Sequence, residues 1–380
     1  MKNRHILLIL FLLFAFNNFG LYLYYDNTNP KEEINDLVFE YNTKIYLKDI
    51  IESETDELID TSSLGDKSLE TEKYILNYKV VDTKEPLIVG GSTKTVTVGK
   101  KTKLVNKFLC GDNHDDTPNC YIEGEYDLNK IGTYNLTYVA IDSSNNKSTK
   151  NFKLKVIPES NNNSSTPSQV KRTKISKYIK KYKTDNTMIG IDVSAWQDNI
   201  DWKKVKDAGV EFAILRIGFG HTSDGQIKKD NWFDRNIKEA KKYGIDLGIY
   251  FYSYAGSEEE ARDQAKWIVK TLNKQKLELP IAFDWEDWSD FNSYKVSFKK
   301  LTDIAYAFID EVEKNGYEGM IYGSAYYLKN IWGHFDKTWV AYYTDNNDYS
   351  GDYMIWQLTS TGSVNGIIGS VDVNVLYKKK

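Results

Sequence analysis

From Met188 onward, short apolar runs alternate with stretches whose apolar residues recur at helical spacing. The runs Ile189–Val193, Phe212–Ile217, Leu247–Tyr252, Ile281–Asp284, Met320–Gly323, Trp339–Tyr343, Met354–Leu358 and Val371–Leu376 have the length and composition of buried strands. Helical patterns over Asp201–Ala208, Asn231–Tyr243, Ser257–Asn273 and Phe298–Asn315 separate the earlier runs. Ser257 with Glu260 reads as a capping box, and Gly209, Gly244 and Gly316 stand where helices end. Regular strand–helix alternation predicts a parallel barrel or a doubly wound sheet. Eight strands in about 190 residues are too few residues for eight full strand–helix units. The shortfall lies late, where Thr359–Ser370 is rich in Gly and Ser and carries no helical pattern. A helix-free connection predicts that the last strand returns antiparallel.

Upstream the pattern changes. Residues 27–80 are polar and weakly patterned, which fits either a stalk or a small β-unit. Between residues 81 and 157, short alternating strands such as Thr95–Val98, Gly132–Val139 and Phe152–Val156 are split by turn signals, the texture of a β-sandwich. Residues 158–187 read as a flexible linker that ends in a basic run, Lys171–Lys183. That run predicts a solvated, helix-prone connector, with contact to an anionic wall polymer or lipid headgroup as the sharper alternative.

The first 26 residues place Lys2 and Arg4 before an apolar stretch from Ile6 to Tyr25, the order of a secretory signal. The stretch reaches spanning length but is interrupted by Asn17, Asn18 and Gly20, so it is expected to be a signal-anchor or a signal peptide, with the anchor favoured. Export agrees with the cysteines. Cys110 and Cys120 bracket a polar, turn-rich loop and are expected to form a local disulfide. A zinc site drawing on Asp112, His114, Asp115 and Asp116 is the rival, with an incomplete ligand set. The net charge of −4 over 380 residues gives no general affinity for nucleic acid, and no metal-ligand cluster or phosphate-cradling loop stands out, so no metal is expected.

The chemistry centres on PIAFDWEDW, Pro280–Trp288. Strand alternation puts Asp284 and Glu286 on one face, with Cα atoms about 6.6 Å apart, and Trp285 on the other. Two carboxyls so close cannot both ionise freely, and one that keeps a proton near neutrality suits acid-assisted cleavage of a glycosidic bond. Asp192 lies near the end of the first strand. If the barrel closes and the last strand runs antiparallel, Asp372 at its start meets Asp192, and four acids converge at one mouth.

GIDVSAWQ (Gly190–Gln197), the DWE of Asp284–Glu286 and WQLTSTGSVNGIIGSVDVN (Trp356–Asn374) resemble the motifs of glycoside hydrolase family 25, lysozymes of the N-acetylmuramidase type. FAILRIGFG, LGIYFYSYA and WVAYY fit the same family in order, so the likeness covers Met188–Tyr377. It implies a flattened (β/α)5(β)3 barrel over residues 188–380. It also implies hydrolysis of the β-1,4 bond between N-acetylmuramic acid and N-acetylglucosamine in peptidoglycan, without a cofactor. Carried over by position, Glu286 is the general acid/base and Asp284 the second essential carboxylate, while Asp192 and Asp372 complete the acid set. Asp284 is left with two roles, orienting the substrate's acetamido group or acting electrostatically or as nucleophile. Tyr252, Tyr254, Tyr343, Trp196 and Trp356 are candidates for stacking on sugar, and Gln357 for a polar contact. Residues 81–157 resemble bacterial immunoglobulin-like surface modules. The whole reads as an exported, membrane-tethered muramidase acting in the cell wall. Its rivals are a wall-binding adhesin with an inactive barrel and a hydrolase of another N-acetylhexosamine polymer.

Overall fold

The computed structural model describes residues 31–52, 55–159, 170–220 and 226–378. The expected signal segment, residues 1–26, lies outside the described residues, as does most of the low-complexity stretch before the basic run. Among the described residues no helix is long and apolar enough to cross a membrane. The chain divides into two compact units at Thr83 and Lys84.

The first unit is the small β-unit rather than the stalk. Strands β1 (Glu32–Glu40), β2 (Gly65–Glu70) and β3 (Tyr74–Val81) form one sheet in the order β1-β3-β2. Alternate residues of the central strand, Leu76, Tyr78 and Val80, are buried with Phe39, Tyr41, Leu47 and Ile59 in a core of their own.

The second unit opens with a six-stranded sandwich. Strands β4 (Leu87–Val89) and β6 (Leu109–Gly111) make one antiparallel pair. Strands β5 (Thr93–Thr97), β7 (Asn119–Glu123), β8 (Gly132–Ile141) and β9 (Lys147–Ile157) make the other sheet, ordered β5-β9-β8-β7. Ile88 and Cys110 of the first sheet, with Phe108 just before β6, share a core with Val96, Leu136, Tyr138, Phe152 and Leu154 of the second. Cys110 and Cys120 are joined in a disulfide, which takes up the thiolates that a zinc site would need.

A short strand β10 (Thr173–Lys174) and helix α1 (Ile175–Tyr182) follow. The basic run is helical as expected, but it is not a solvated connector. Ile175, Tyr178, Ile179 and Tyr182 fall at helical spacing and pack on the barrel core, while β10 pairs with a barrel strand. Its lysines occupy the outer face, and an amphipathic helix with that many apolar positions on one side buries them.

The barrel strands are β11 (Thr187–Val193), β12 (Phe212–Gly220), β14 (Asp246–Ser253), β15 (Ile281–Trp285), β16 (Gly319–Ser324), β17 (Thr338–Ala341), β18 (Ile355–Ser363) and β19 (Val371–Tyr377). A hairpin strand, β13 (Ile227–Lys229), attaches to β12. Helices α2 (Trp202–Asp207), α3 (Phe233–Lys242), α4 (Glu258–Leu272), α6 (Phe298–Lys314) and α7 (Ala325–Asn330) follow the first five barrel strands, and a single turn, α5 (Phe291–Tyr294), precedes α6. Seven strands are parallel; β19 runs antiparallel to both β11 and β18 and closes the ring. This is five strand–helix units followed by three strands. The α4 cap differs in detail from the expected box. Ser257 accepts from the Glu260 amide, but the Glu260 carboxylate takes the amide of Gly256.

Two layers of core flank the ring. Outward residues such as Ile281, Phe283 and Trp285 pack under the helices. Inward residues Phe212, Ile214, Ala282, Met320, Trp339, Ile355 and Leu376 fill the barrel. The inward column of β15 therefore runs Ala282, Asp284, Glu286: apolar at its start and acidic where the strand ends. The same gradient recurs on β12, which runs Phe212, Ile214, Arg216.

Candidate active site

The inward-facing polar residues gather at the carboxyl ends of the parallel strands, and the reversed β19 delivers its beginning to the same end. Asp192 lies directly opposite Asp372 in the β11–β19 register, and Tyr252 lies opposite Asp284 in the β14–β15 register. All four expected acids therefore occupy one mouth.

Asp192 is buried and held by two donors. Gln357 Nε2 reaches its Oδ2 at 3.0 Å and Asn374 Nδ2 reaches the same oxygen at 2.7 Å. The donors are themselves oriented. The hydroxyls of Tyr322 and Tyr343 both donate to Gln357 Oε1 at 2.9 Å, and Trp339 Nε1 donates to Asn374 Oδ1 at 2.8 Å. Each amide's oxygen is thus occupied, which turns its NH2 toward the carboxylate. Burial raises Asp192 to about 6, with the Asn374 and Gln357 hydrogen bonds opposing the rise.

The other acids are raised further. Burial, then the charge of Asp192, lifts Asp372 to about 8. Burial, then Asp192, lifts Glu286 to about 7. Asp284 lies well above the usual carboxylate range because it is buried and faces Glu286 and Asp192, with Arg216 pulling the other way. Its Oδ1 is buried without a hydrogen-bond partner among the described residues. The four acids thus lose their protons at different pH, Asp192 before Glu286 and Glu286 before Asp372, the asymmetry that lets one acid donate a proton while another stays charged.

Beside the acids, Trp196, Arg216, Phe219, Lys228, Tyr252 and Tyr254 line a cavity of about 1160 Å3. Tyr252 and Tyr254 meet edge to face at 5.2 Å. Trp196 stands 83% exposed on a turn fixed by reciprocal hydrogen bonds between Ser194 and Gln197. Tyr343 is 55% exposed despite its bond to Gln357. These four aromatics keep surface open to a ligand. Trp356 does not. It is only 2% exposed, points outward from β18 and packs edge to face on Tyr182, with its indole N–H on the Tyr342 carbonyl at 2.7 Å. The expectation of sugar stacking at Trp356 is therefore corrected: strand parity that turns Gln357 inward turns its neighbour out.

Further residues that organise the mouth are not among those the sequence pattern singles out. Asn374 is fully buried and is the nearer donor to Asp192; it sits two residues from Asp372 on the same face, a signal that alternation alone supplies. Tyr322 and Trp339 look like ordinary core aromatics in the sequence. Asp230 is buried, accepts from Arg216 Nε at 2.8 Å and from the Ala195 amide at 2.9 Å, and so ties β12 to the Trp196 turn. Nothing local in the sequence marks it.

Residues 191–367 match the family model described as glycosyl hydrolases family 25. An uncharacterized protein of Escherichia coli O157:H7, YegX, is 33% identical over 198 residues, covering 50% of this chain and 69% of the relative. The autolytic lysozyme of Clostridium acetobutylicum is 26% identical over 191 residues, covering 49% of this chain and 55% of that enzyme. Among solved structures, the modular autolysin LytC from Streptococcus pneumoniae, in complex with a synthetic peptidoglycan ligand, superposes with a TM-score of 0.46. It shares 26% identity over 63% of this chain and 56% of its own length. This chain thus spans little more than half of the autolytic lysozyme and of LytC.

Proposed function

The chain belongs to glycosyl hydrolase family 25 and is a glycoside hydrolase of the lysozyme type, and from that premise we propose that it cleaves the β-1,4 bond between N-acetylmuramic acid and N-acetylglucosamine in peptidoglycan. The observation that supports this most directly is the four-acid mouth, in which Glu286 is raised to about 7 beside a buried Asp284 that also lies above the usual carboxylate range. A carboxyl with that value is protonated often enough at neutral pH to donate and ionised often enough to accept.

In this reading Glu286 gives its proton to the glycosidic oxygen as the bond to the sugar's anomeric carbon breaks. Asp284, on the same face of β15, orients the 2-acetamido group, whose carbonyl oxygen attacks the anomeric carbon. Water then opens that intermediate, losing a proton to the Glu286 carboxylate, which restores the acid. The i, i+2 placement of the two acids suits such a retaining route, because an inverting pair needs room for a water between its carboxyls. Asp192 stays ionised and stabilises the positive charge that develops on the sugar, and protonated Asp372 donates to substrate or to Asp192. Tyr252, Tyr254, Trp196 and Tyr343 form the sugar-facing surface. We further propose that the basic-then-apolar stretch in residues 1–26 exports the chain and tethers it to the membrane, so that the barrel works in the wall.

The test is release of reducing sugar from purified peptidoglycan by the full-length protein, beside Glu286→Gln, with mass spectrometry of the new reducing end. Muramic acid at that end, lost in the variant, is the expected result. Glucosamine at that end overturns the bond assignment. Binding to the wall without any release overturns catalysis and leaves an adhesin.

A further inference from the structure

The sandwich is not a free spacer: it belongs to the same compact unit as the barrel. Strand parity shows how. On β4, Ile88 faces the sandwich core while Leu87 and Val89 pack on the barrel core. On β6, Cys110 faces the sandwich, while Leu109 lies in the barrel core and Gly111 abuts the segment that follows the acid-bearing strand. A Cβ on Gly111 would come within 2.5 Å of the Phe298 ring and 2.6 Å of the Phe291 ring, so only glycine lets β6 approach this closely.

The contact is concentrated on the segment between Glu286 and α6. Asn292 bridges twice to the backbone at the start of β6, accepting from the Cys110 amide at 3.1 Å and donating to the carbonyl of Phe108, the residue before the strand, at 3.3 Å. The α6 N-terminus presents the amides of Ser297, Phe298, Lys299 and Lys300, which have no partner within the helix. The disulfide-closed loop takes three of them. Asp116 Oδ1 accepts from Ser297 at 3.0 Å, the Asp112 carbonyl from Phe298 at 2.7 Å, and the Asn113 carbonyl from Lys299 at 3.4 Å. Ser297 Oγ takes the fourth, and Lys300 Nζ pairs with Asp116. The loop is stiff in its own right, since Asp112 Oδ1 accepts the amides of His114 and Asp115 and the disulfide closes its ends.

Between this anchor and Glu286 lies a short aromatic relay. Trp288 stacks on Tyr327 at 3.9 Å and meets Trp285 edge on at 4.8 Å, while Tyr294 donates to Asp287 at 2.8 Å. The chain leaving Glu286 is therefore fixed at its far end by the sandwich and in its middle by packing.

We propose that the disulfide-closed loop of the sandwich, Cys110–Cys120, is a positioning element of the active site: through Asn292 and the α6 N-terminus it fixes the Glu286–Phe298 segment and so the placement of Glu286. This rests on the hydrolase reading given above. Asn292 and Asp116 are the positioning residues. Neither touches substrate, and each acts through the segment that carries the acid. Loosening the segment admits water to Glu286, which lowers its raised pKa and weakens its aim.

The experiment uses the full-length protein on purified peptidoglycan, comparing Asn292→Ala, Asp116→Ala and the milder Asp116→Asn, which keeps an acceptor for Ser297. Thr137→Ala, which removes a hydrogen bond to Asn151 on an exposed part of the sandwich, serves as the control. The two alanine variants are expected to lower kcat about tenfold with KM little changed, as for a catalytic group held loosely. The upper limb of the pH–rate profile should move to lower pH, and the amides of Ser297 and Phe298 should exchange faster. Asp116→Asn should fall between these and wild type even if an alanine variant does not fold, and Thr137→Ala should match wild type. Folded variants with wild-type kcat and pH profile overturn the positioning role. A wild type that releases no sugar overturns the hydrolase reading instead, and the two failures are thereby told apart.

Discussion

Asp192 and Asp372 sit directly opposite one another on the antiparallel pair that closes the barrel. Opposed carboxylates on adjacent strands repel, and the conflict is resolved by unequal surroundings. Asp192 receives the side-chain amides of Gln357 and Asn374, which favour its charged form. Asp372 is pushed up to about 8 by its burial first and by that charge second. One strand pairing thus yields an ionised and a neutral acid at neutral pH.

Stability should depend on pH through these acids. Asp192, Glu286 and Asp372 have folded values of about 6, 7 and 8, above ordinary values of 3.8, 4.5 and 3.8. The folded state then binds more protons than the unfolded one across that window. Their contribution is full below the ordinary values and is lost as pH rises through the folded ones. Thermal melts are expected to give a lower Tm at pH 8.5 than at pH 5, with Asp372→Asn flattening the difference. A Tm that rises over this range in wild type would contradict the assignment.

Activity should fall as Glu286 loses its proton, with an upper limb near its value of about 7. Glu286→Gln is expected to cost about 10²–10⁴-fold in kcat, the usual contribution of a positioned acid, with the melt unchanged or slightly raised. Reducing-sugar assays across pH on both proteins check this.

Asn374→Leu removes the nearer donor to Asp192 and leaves Trp339 Nε1 without its acceptor. A loss of about 1–3 kcal/mol in stability is expected from the unpaired groups. The pKa of Asp192 should rise further, so the activity that needs it ionised should begin only at higher pH. Denaturant titration and the lower limb of the pH–rate profile read the two effects separately.

Trp196 and Trp356 should behave oppositely on truncation. Trp196 is 83% exposed, so Trp196→Ala should leave the melt unchanged and raise KM for glycan. Trp356 is packed in the core, so Trp356→Ala should destabilise by about 3–5 kcal/mol. Equal stability losses in the two would refute the division.

A retaining route predicts that the first-formed reducing sugar keeps the β configuration. Proton NMR of the anomeric signal, recorded before mutarotation, decides it; an α product first would require an inverting mechanism and a different role for Asp284.

Much of this arrangement is written in local periodicity. Alternation over short apolar runs defined the eight barrel strands, and the missing helix before Val371–Leu376 marked the antiparallel return. From these Asp284 and Glu286 could be placed on one face and Asp192 at the same end, while the meeting of Asp372 with Asp192 depended on closure of the barrel, which the structure shows. What the tertiary structure decided depends on which distant surfaces meet. Trp356 is core because α1, read as a connector, folds back onto β18; Asn374 matters because closure brings it to Asp192; and the sandwich loop caps α6 because Gly111 lets it come close. Each is a contact between segments far apart in sequence, and no local pattern encodes the partner on the other side.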